Sequence, residues 1–93
     1  MIYSWGNKDT EKIWNGFFVR SLPHDIQCIA KRKLVHIHAA KNIDDLRVPP
    51  GNRLEKLGGD KAGIWSIRIN EQWRICFRWE AGNAFDVIII DYH

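Results

Sequence analysis

The stretch IWSIRINEQWRICFRWEAGNAFDVIIID, residues 64–91, decides the fold because apolar and polar residues alternate along most of it. A period of two predicts β-strands that bury one face. We place strands at residues 64–69, 74–79 and 85–90, joined by tight connections. The run at 87–90 is apolar on both faces, which predicts that the last strand lies in the middle of the sheet.

Upstream of this stretch the apolar residues recur at intervals of three and four, which is typical of helices with one buried face. We predict helices over residues 10–20 and 24–39, and a short strand over residues 2–5. Residues 42–53 are expected to form a loop, because they contain a Pro-Pro-Gly run. The prediction is one α+β domain over residues 1–93, with two N-terminal helices packed on an antiparallel sheet.

Composition excludes several other classes of protein. The chain has 93 residues, a length that accommodates one domain. It contains no window of 18 apolar residues, so a transmembrane helix is excluded. Cys28 and Cys76 lie far apart, which argues against a disulfide scaffold or a metal motif and favours a reducing cytoplasm. The net charge of +3 permits an anionic partner.

The alternation in the predicted strands sorts side chains onto two faces. If the tryptophans and isoleucines face the helices, the opposite face carries Ser66, Arg68, Arg74, Cys76 and Arg78. Further basic residues from the preceding loop border this face: Arg53, Lys56 and Lys61. Guanidinium groups bind phosphate in a bidentate manner, so the face suits an anionic ligand. The alternative is a solvated face whose arginines pair with Glu55, Glu71 and Glu80.

The last predicted strand is followed directly by Asp91, Tyr92 and His93. Histidine is the side chain best matched to proton transfer near neutral pH, so these residues are candidates for acid–base chemistry beside the arginines. The alternative is a frayed polar terminus. Of the remaining candidates, Cys28 is expected in the core, and Trp73 is the tryptophan to which we assign a possible base-stacking role.

The segment RVPPGNRLEKLGGDKAGIWSIRINEQWRICFRW followed by FDVIIIDYH closely resembles the HigB toxins, which belong to the RelE-like group described as plasmid-maintenance or killer proteins. The resemblance covers essentially the whole chain. It implies a microbial-ribonuclease-like fold and a ribosome-dependent mRNA endonuclease that needs no metal or other cofactor. It also implies a partner, a HigA-type antitoxin with a helix-turn-helix, through which operator DNA is contacted indirectly.

The resemblance also assigns roles to individual residues. Arg74 matches the arginine that stabilises the scissile phosphate, and residues 91–93 match a C-terminal group associated with catalysis. The sequence departs from the family at Gly58, where many members carry a lysine, and in the preceding loop, where some carry a histidine and this chain has Glu55 nearby. Two other interpretations stay open: a non-catalytic RNA- or protein-binding module, and an inactive toxin that binds only its antitoxin.

Overall fold

The structure is a computed structural model that describes residues 1–59 and 63–92. Two α-helices come first, α1 (Lys8–Trp14) and α2 (His24–Ala39), and two short 3-10 helices follow at Ile43–Arg47 and Pro50–Asn52. The strands are β1 (Glu55–Lys56), β2 (Ile64–Arg68), β3 (Trp73–Glu80) and β4 (Asn83–Asp91). Among the described residues, no helix has the length and apolar character needed to cross a membrane.

The four strands form one antiparallel sheet in the order β1-β2-β3-β4. The predicted α+β class, the second helix and the three long strands are confirmed. Strand β1 was not predicted, because two residues are too few to show a period. The β2–β3 turn is held by Asn70, whose side-chain oxygen accepts hydrogen bonds from the backbone N–H groups of Gln72 and Trp73, both at 2.8 Å.

The prediction that the last strand lies in the middle of the sheet is wrong for the four-stranded sheet, because β4 is at the end of the strand order. Its outer edge is nevertheless occupied. Residues 1–6 run parallel to it, with bridges from Ile2 to Ala84 and from Trp5 to Val87. The predicted strand at 2–5 is therefore a pair of isolated bridges, which gives β4 a neighbour on its outer edge.

The core lies between the helices and one face of the sheet. Helix α2 contributes its apolar stripe, and β2, β3 and β4 contribute the residues that alternate inward. The buried residues from these elements are Ile26, Ala30, Leu34, Ile37, Ile67, Ile75, Phe77, Val87 and Ile89. Helix α1 is tied to the sheet by a buried hydrogen bond in which the backbone N–H of Ile89 donates to Thr10 Oγ1 at 3.0 Å.

Helix α1 ends earlier than predicted. Asn15 caps it, and Gly16 then takes a φ of +89°, a conformation that favours glycine and turns the chain away. Phe17 and Phe18 consequently lie outside the helix and are exposed, so the prediction of a helix to residue 20 is wrong. Cys28 is also exposed, because it lies on the outer side of α2, and the expectation that it belongs to the core is wrong.

Candidate active site

The sheet has a second face that the helices do not cover, and the strand register shows which residues share it. Ser66 lies opposite Cys76, and Arg68 lies opposite Arg74. On the other side of β3, Ile90 lies opposite Arg74. Residues paired in this way point to the same side of a sheet. The predicted grouping of polar residues is therefore correct for β2 and β3, and we call this surface the open face.

Arg74 is buried in the open face and is held by hydrogen bonds. Only 6% of it is exposed. Its Nε donates to Ser66 Oγ at 2.9 Å, and its Nη2 donates to the carbonyl oxygen of Arg53 at 2.6 Å and to that of Ser66 at 3.3 Å. A guanidinium held at two nitrogens has a fixed plane. Arg74 is thus a preorganised cation, and the alternative of a solvated side chain is wrong for this residue.

The carbonyl that binds Arg74 is positioned by a buried asparagine in the preceding loop. Asn52 is fully buried, and its Nδ2 donates to the carbonyl oxygen of Leu46 at 3.1 Å. Its Oδ1 accepts a hydrogen bond from the Lys33 ammonium of α2. Burial, and to a smaller extent the charge of Arg32, lowers the pKa of Lys33. Asn52 therefore joins the loop to α2 and fixes the position of Arg53.

The electrostatics of this end of the open face are dominated by two arginines. Arg68 and Arg74 are direct cross-strand neighbours, an arrangement of like charges that costs free energy unless an anion offsets it. Glu55 is a weak partner, because its Oε2 lies 3.9 Å from Arg74 Nη2 and its side chain is half exposed. A ligand with a phosphate group would relieve the same repulsion.

Tyr92, which follows β4, reaches Arg74 because β4 pairs with β3. The Tyr92 ring centroid lies 5.4 Å from Arg74 Cζ, a cation–π contact. Gln72 anchors this segment twice: its carbonyl oxygen accepts from the backbone N–H of Tyr92 at 2.6 Å, and its Nε2 donates to Asp91 Oδ2 at 3.0 Å. Asp91 pairs with Trp73, so it belongs to the side of the sheet opposite Arg74.

Of the other predicted site residues, some lie near Arg74 and others do not. Arg53 and Arg68 lie near Arg74, as the backbone contact and the strand register show. Lys56 pairs with Trp65 and lies on the helix side, so its expected place bordering the arginine face is wrong. Lys61 and His93 lie outside the described residues.

Arg78 is on the open face but at its far end. It makes an ion pair with Glu80, and its Nε lies 3.7 Å from Asp86 Oδ2, so its charge is largely offset. The alternative of arginines paired with glutamates therefore describes Arg78 correctly. Trp73 is partly buried against the core on the helix side, which leaves it remote from the face where a base would stack beside Arg74.

The sequence placed Ser66 on this face without a role, and it did not mark Gln72 or Asn52 at all. Each is a common polar residue in or beside a turn or strand, and nothing in its neighbours marks it as an anchor. Among residues 1–59 and 63–92, no group of three or more His, Cys, Asp or Glu side chains is arranged to hold a metal ion.

Comparison with known proteins defines the class to which this fold and site belong. A family model described as the RelE-like toxin of the type II toxin–antitoxin system HigB matches residues 2–93. Toxin HigB-1 of Vibrio cholerae is 43% identical over 70 residues, which are 75% of this chain and 74% of that protein. An uncharacterised protein of Haemophilus influenzae is 39% identical over 72 residues, 77% of this chain and 70% of its own.

Endoribonuclease HigB of Proteus vulgaris is 42% identical over a shorter stretch of 41 residues, 44% of this chain and 45% of that protein. The family match spans nearly the whole chain, and the α+β fold agrees with it. The chain belongs to the HigB-like family of RelE-like toxins of type II toxin–antitoxin systems. Membership in this family implies an antitoxin partner.

Proposed function

We propose that this toxin is a ribosome-dependent endoribonuclease that inhibits translation by cleaving mRNA in the ribosomal A site, without a metal ion. The observation that carries the proposal is the fixed guanidinium of Arg74 on the open face, with the Tyr92 ring 5.4 Å away. A relative named Endoribonuclease HigB supports the reaction class.

RNA cleavage without a metal requires a group that offsets the charge of a phosphorane-like transition state. We assign this role to Arg74. Its internal hydrogen bonds use Nε and Nη2, so Nη1 is the nitrogen we assign to a phosphate oxygen. Because the guanidinium is already oriented, little reorganisation is needed when charge develops. Arg68, its cross-strand neighbour, supplies a second positive charge to the same anion.

The reaction also needs a base for the ribose 2′-hydroxyl and an acid for the departing 5′-oxygen. His93 is the acid in this proposal, because the pKa of an imidazole lies near neutrality. Asp91 acts as the base or orients His93, and its place on the side of the sheet opposite Arg74 argues against the base role. Tyr92 contacts a base or the phosphate.

The proposed dependence on the ribosome is supported by how few groups the described open face offers to RNA beside Arg74. Few groups on the open face are placed to read bases, so RNA alone would be held in many orientations. The ribosome presents the mRNA in a fixed geometry and supplies the orientation that the toxin lacks. We therefore expect the toxin to act in the cytoplasm, where translation takes place, and to be neutralised by a HigA-type helix-turn-helix antitoxin that contacts operator DNA on behalf of the pair.

Primer extension on a reporter mRNA in a translating extract tests the proposal. The wild-type protein should create new ends inside the reading frame, and these should vanish when ribosomes are omitted. His93→Ala and Tyr92→Ala should reduce them, whereas Tyr92→Phe, which keeps the ring, should retain more activity. Cleavage that persists in His93→Ala would reassign the acid. No new ends from folded wild-type protein would favour a binding module or an inactive toxin.

A further inference from the structure

Three side chains form a row at the far end of the open face from Arg74. The rings of Tyr3 and Phe85 are stacked, with centroids 5.5 Å apart and planes 16° from parallel. Arg78 lies against Phe85, with its Cζ 4.6 Å from the ring centroid. The three residues come from the N-terminal segment, β4 and β3, which lie side by side. We call this set the aromatic row.

The aromatic row is not part of the core. Tyr3 is 60% exposed, among the most exposed large hydrophobic residues of the described chain. Phe85 belongs to neither the buried core nor the residues packed against it. Phe85 is half-buried, and it orders the exposed Tyr3 ring. An exposed ring that is ordered in this way and lies near a cation is the arrangement that proteins use to stack unpaired bases.

The backbone next to Phe85 departs from regular strand geometry. A β-bulge interrupts the β3–β4 register between Cys76 and Arg78, and Asp86 takes a φ of +54°, which costs free energy for a residue other than glycine. The Asp86 backbone is fixed by a hydrogen bond from its N–H to Ser4 Oγ at 2.8 Å. The strained residue directly follows Phe85.

A mostly apolar cavity on the open face is lined by Arg78 of the aromatic row, but not by Tyr3, Phe85 or Arg74. It has a volume of about 250 Å³, and its lining includes Arg78 at one end and Ile90, the cross-strand neighbour of Arg74, at the other. Ile88 lies between them. Four residue steps separate Arg74 from Arg78 along β3, which corresponds to roughly 13 Å. A short run of single-stranded RNA spans that distance.

We propose that the aromatic row is a binding site for an unpaired base of the mRNA segment that flanks the scissile phosphate. The inference rests on the proposed endoribonuclease function and extends the RNA path beyond Arg74. Stacking, and not phosphate attraction, is the mode of binding, because Glu80 and Asp86 offset the charge of Arg78. Stacking tolerates any base, so the row contributes affinity and register with little sequence preference.

An abasic scan tests this proposal directly. Stalled ribosomes are programmed with mRNAs that carry one abasic nucleotide at successive positions around the cut, and single-turnover cleavage is measured against toxin concentration. For the wild-type protein, an abasic nucleotide at one flanking position should raise the toxin concentration needed for half-maximal cleavage roughly tenfold or more. On intact mRNA, the Tyr3→Ala variant should need as high a concentration as the wild-type protein needs on the abasic mRNA. An abasic nucleotide at that position should have no further effect on the variant. Tyr3→Phe should behave like wild type.

Phe18→Ala is the matched control, because Phe18 is similarly exposed but belongs to the helix side. It should leave the abasic profile unchanged. The proposal would be overturned if the losses of cleavage caused by Tyr3→Ala and by the abasic nucleotide were additive. It would also be overturned if Tyr3→Ala left RNA cleavage unaltered and weakened antitoxin binding. If the wild-type protein fails to cleave, the proposed nuclease is refuted. Fluorescence anisotropy of a labelled RNA oligonucleotide then tests RNA binding by the aromatic row on its own. Equal affinities of the wild-type protein and Tyr3→Ala would refute that binding site.

Discussion

Replacing Arg74 by alanine should lower the free energy of unfolding substantially, in addition to any effect on cleavage. The side chain is 8% exposed and bridges β2, β3 and the loop that ends at Arg53. Alanine removes every donor from this bridge. Ser66, which is fully buried, then loses its partner, whereas the Arg53 carbonyl belongs to an exposed residue that water can reach.

The expected magnitude follows from these contacts. Hydrogen bonds to a charged group contribute about 1.5–3 kcal/mol each, and a buried group left without a partner costs about 1–3 kcal/mol. Allowing for hydration of the Arg53 carbonyl, the loss should be about 2–4 kcal/mol. For a domain of this size each kcal/mol corresponds to a fall in Tm of about 4–8 °C, so the midpoint should drop by roughly 8–32 °C.

Thermal unfolding followed by circular dichroism measures this effect in Arg74→Ala and Arg74→Lys. Lysine keeps the charge and one cluster of donors but lacks the planar fork, so it should show an intermediate loss. An Arg74→Ala midpoint within about 2 °C of wild type would refute the reasoning, because the buried hydrogen bonds would then contribute nothing to stability. Cleavage by either variant is interpretable only below its own unfolding temperature.

Three further predictions concern single sites. A Cβ at Gly58 would meet no heavy atom within 4 Å, so Gly58→Lys should fold normally and reduce the toxin concentration needed for half-maximal mRNA cleavage, whereas Ala39→Lys on α2 should not. Asn52→Ala should lower the free energy of unfolding in urea by about 2–4 kcal/mol, because the buried Leu46 carbonyl and the partly buried Lys33 ammonium lose their hydrogen bonds. Backbone N–H groups lower the pKa of Asp45, so its stabilising effect is present at neutral pH and lost as the pH falls through the lowered pKa. Asp45→Asn should therefore have a lower Tm at neutral pH, and the difference should shrink in acid.

Strong periodic patterns made much of the fold predictable. Helix α2 begins and ends at the predicted residues, because its apolar stripe is continuous and Pro23 marks its start. Helix α1 was extended too far, because Phe17 continues the helical spacing although Gly16 ends the helix. Periodicity shows where a side chain would point if the helix continued, and it does not show where the backbone turns.

The sequence predicted which residues form the candidate site better than it predicted the contacts that hold them. Arg74 and Tyr92 were grouped correctly, because alternation and strand pairing are both visible in the sequence. The burial of Arg74 was not predictable, since it depends on a carbonyl from a loop that the sequence places only loosely. Lys56 was assigned to the wrong face because its two-residue strand has no period of its own.

The parallel bridges along β4 bear on when this protein can fold during its own synthesis. The opening residues pair with Ala84 and Val87, and Thr10 accepts its buried hydrogen bond from Ile89, so these contacts join opposite ends of the described chain. Such high contact order delays assembly until the distant partner is available. A nascent chain whose β4 is still inside the ribosome has no partner for its first strand-like segment, and chains that end before residue 84 would lack both β4 and the bridges to residues 2 and 5.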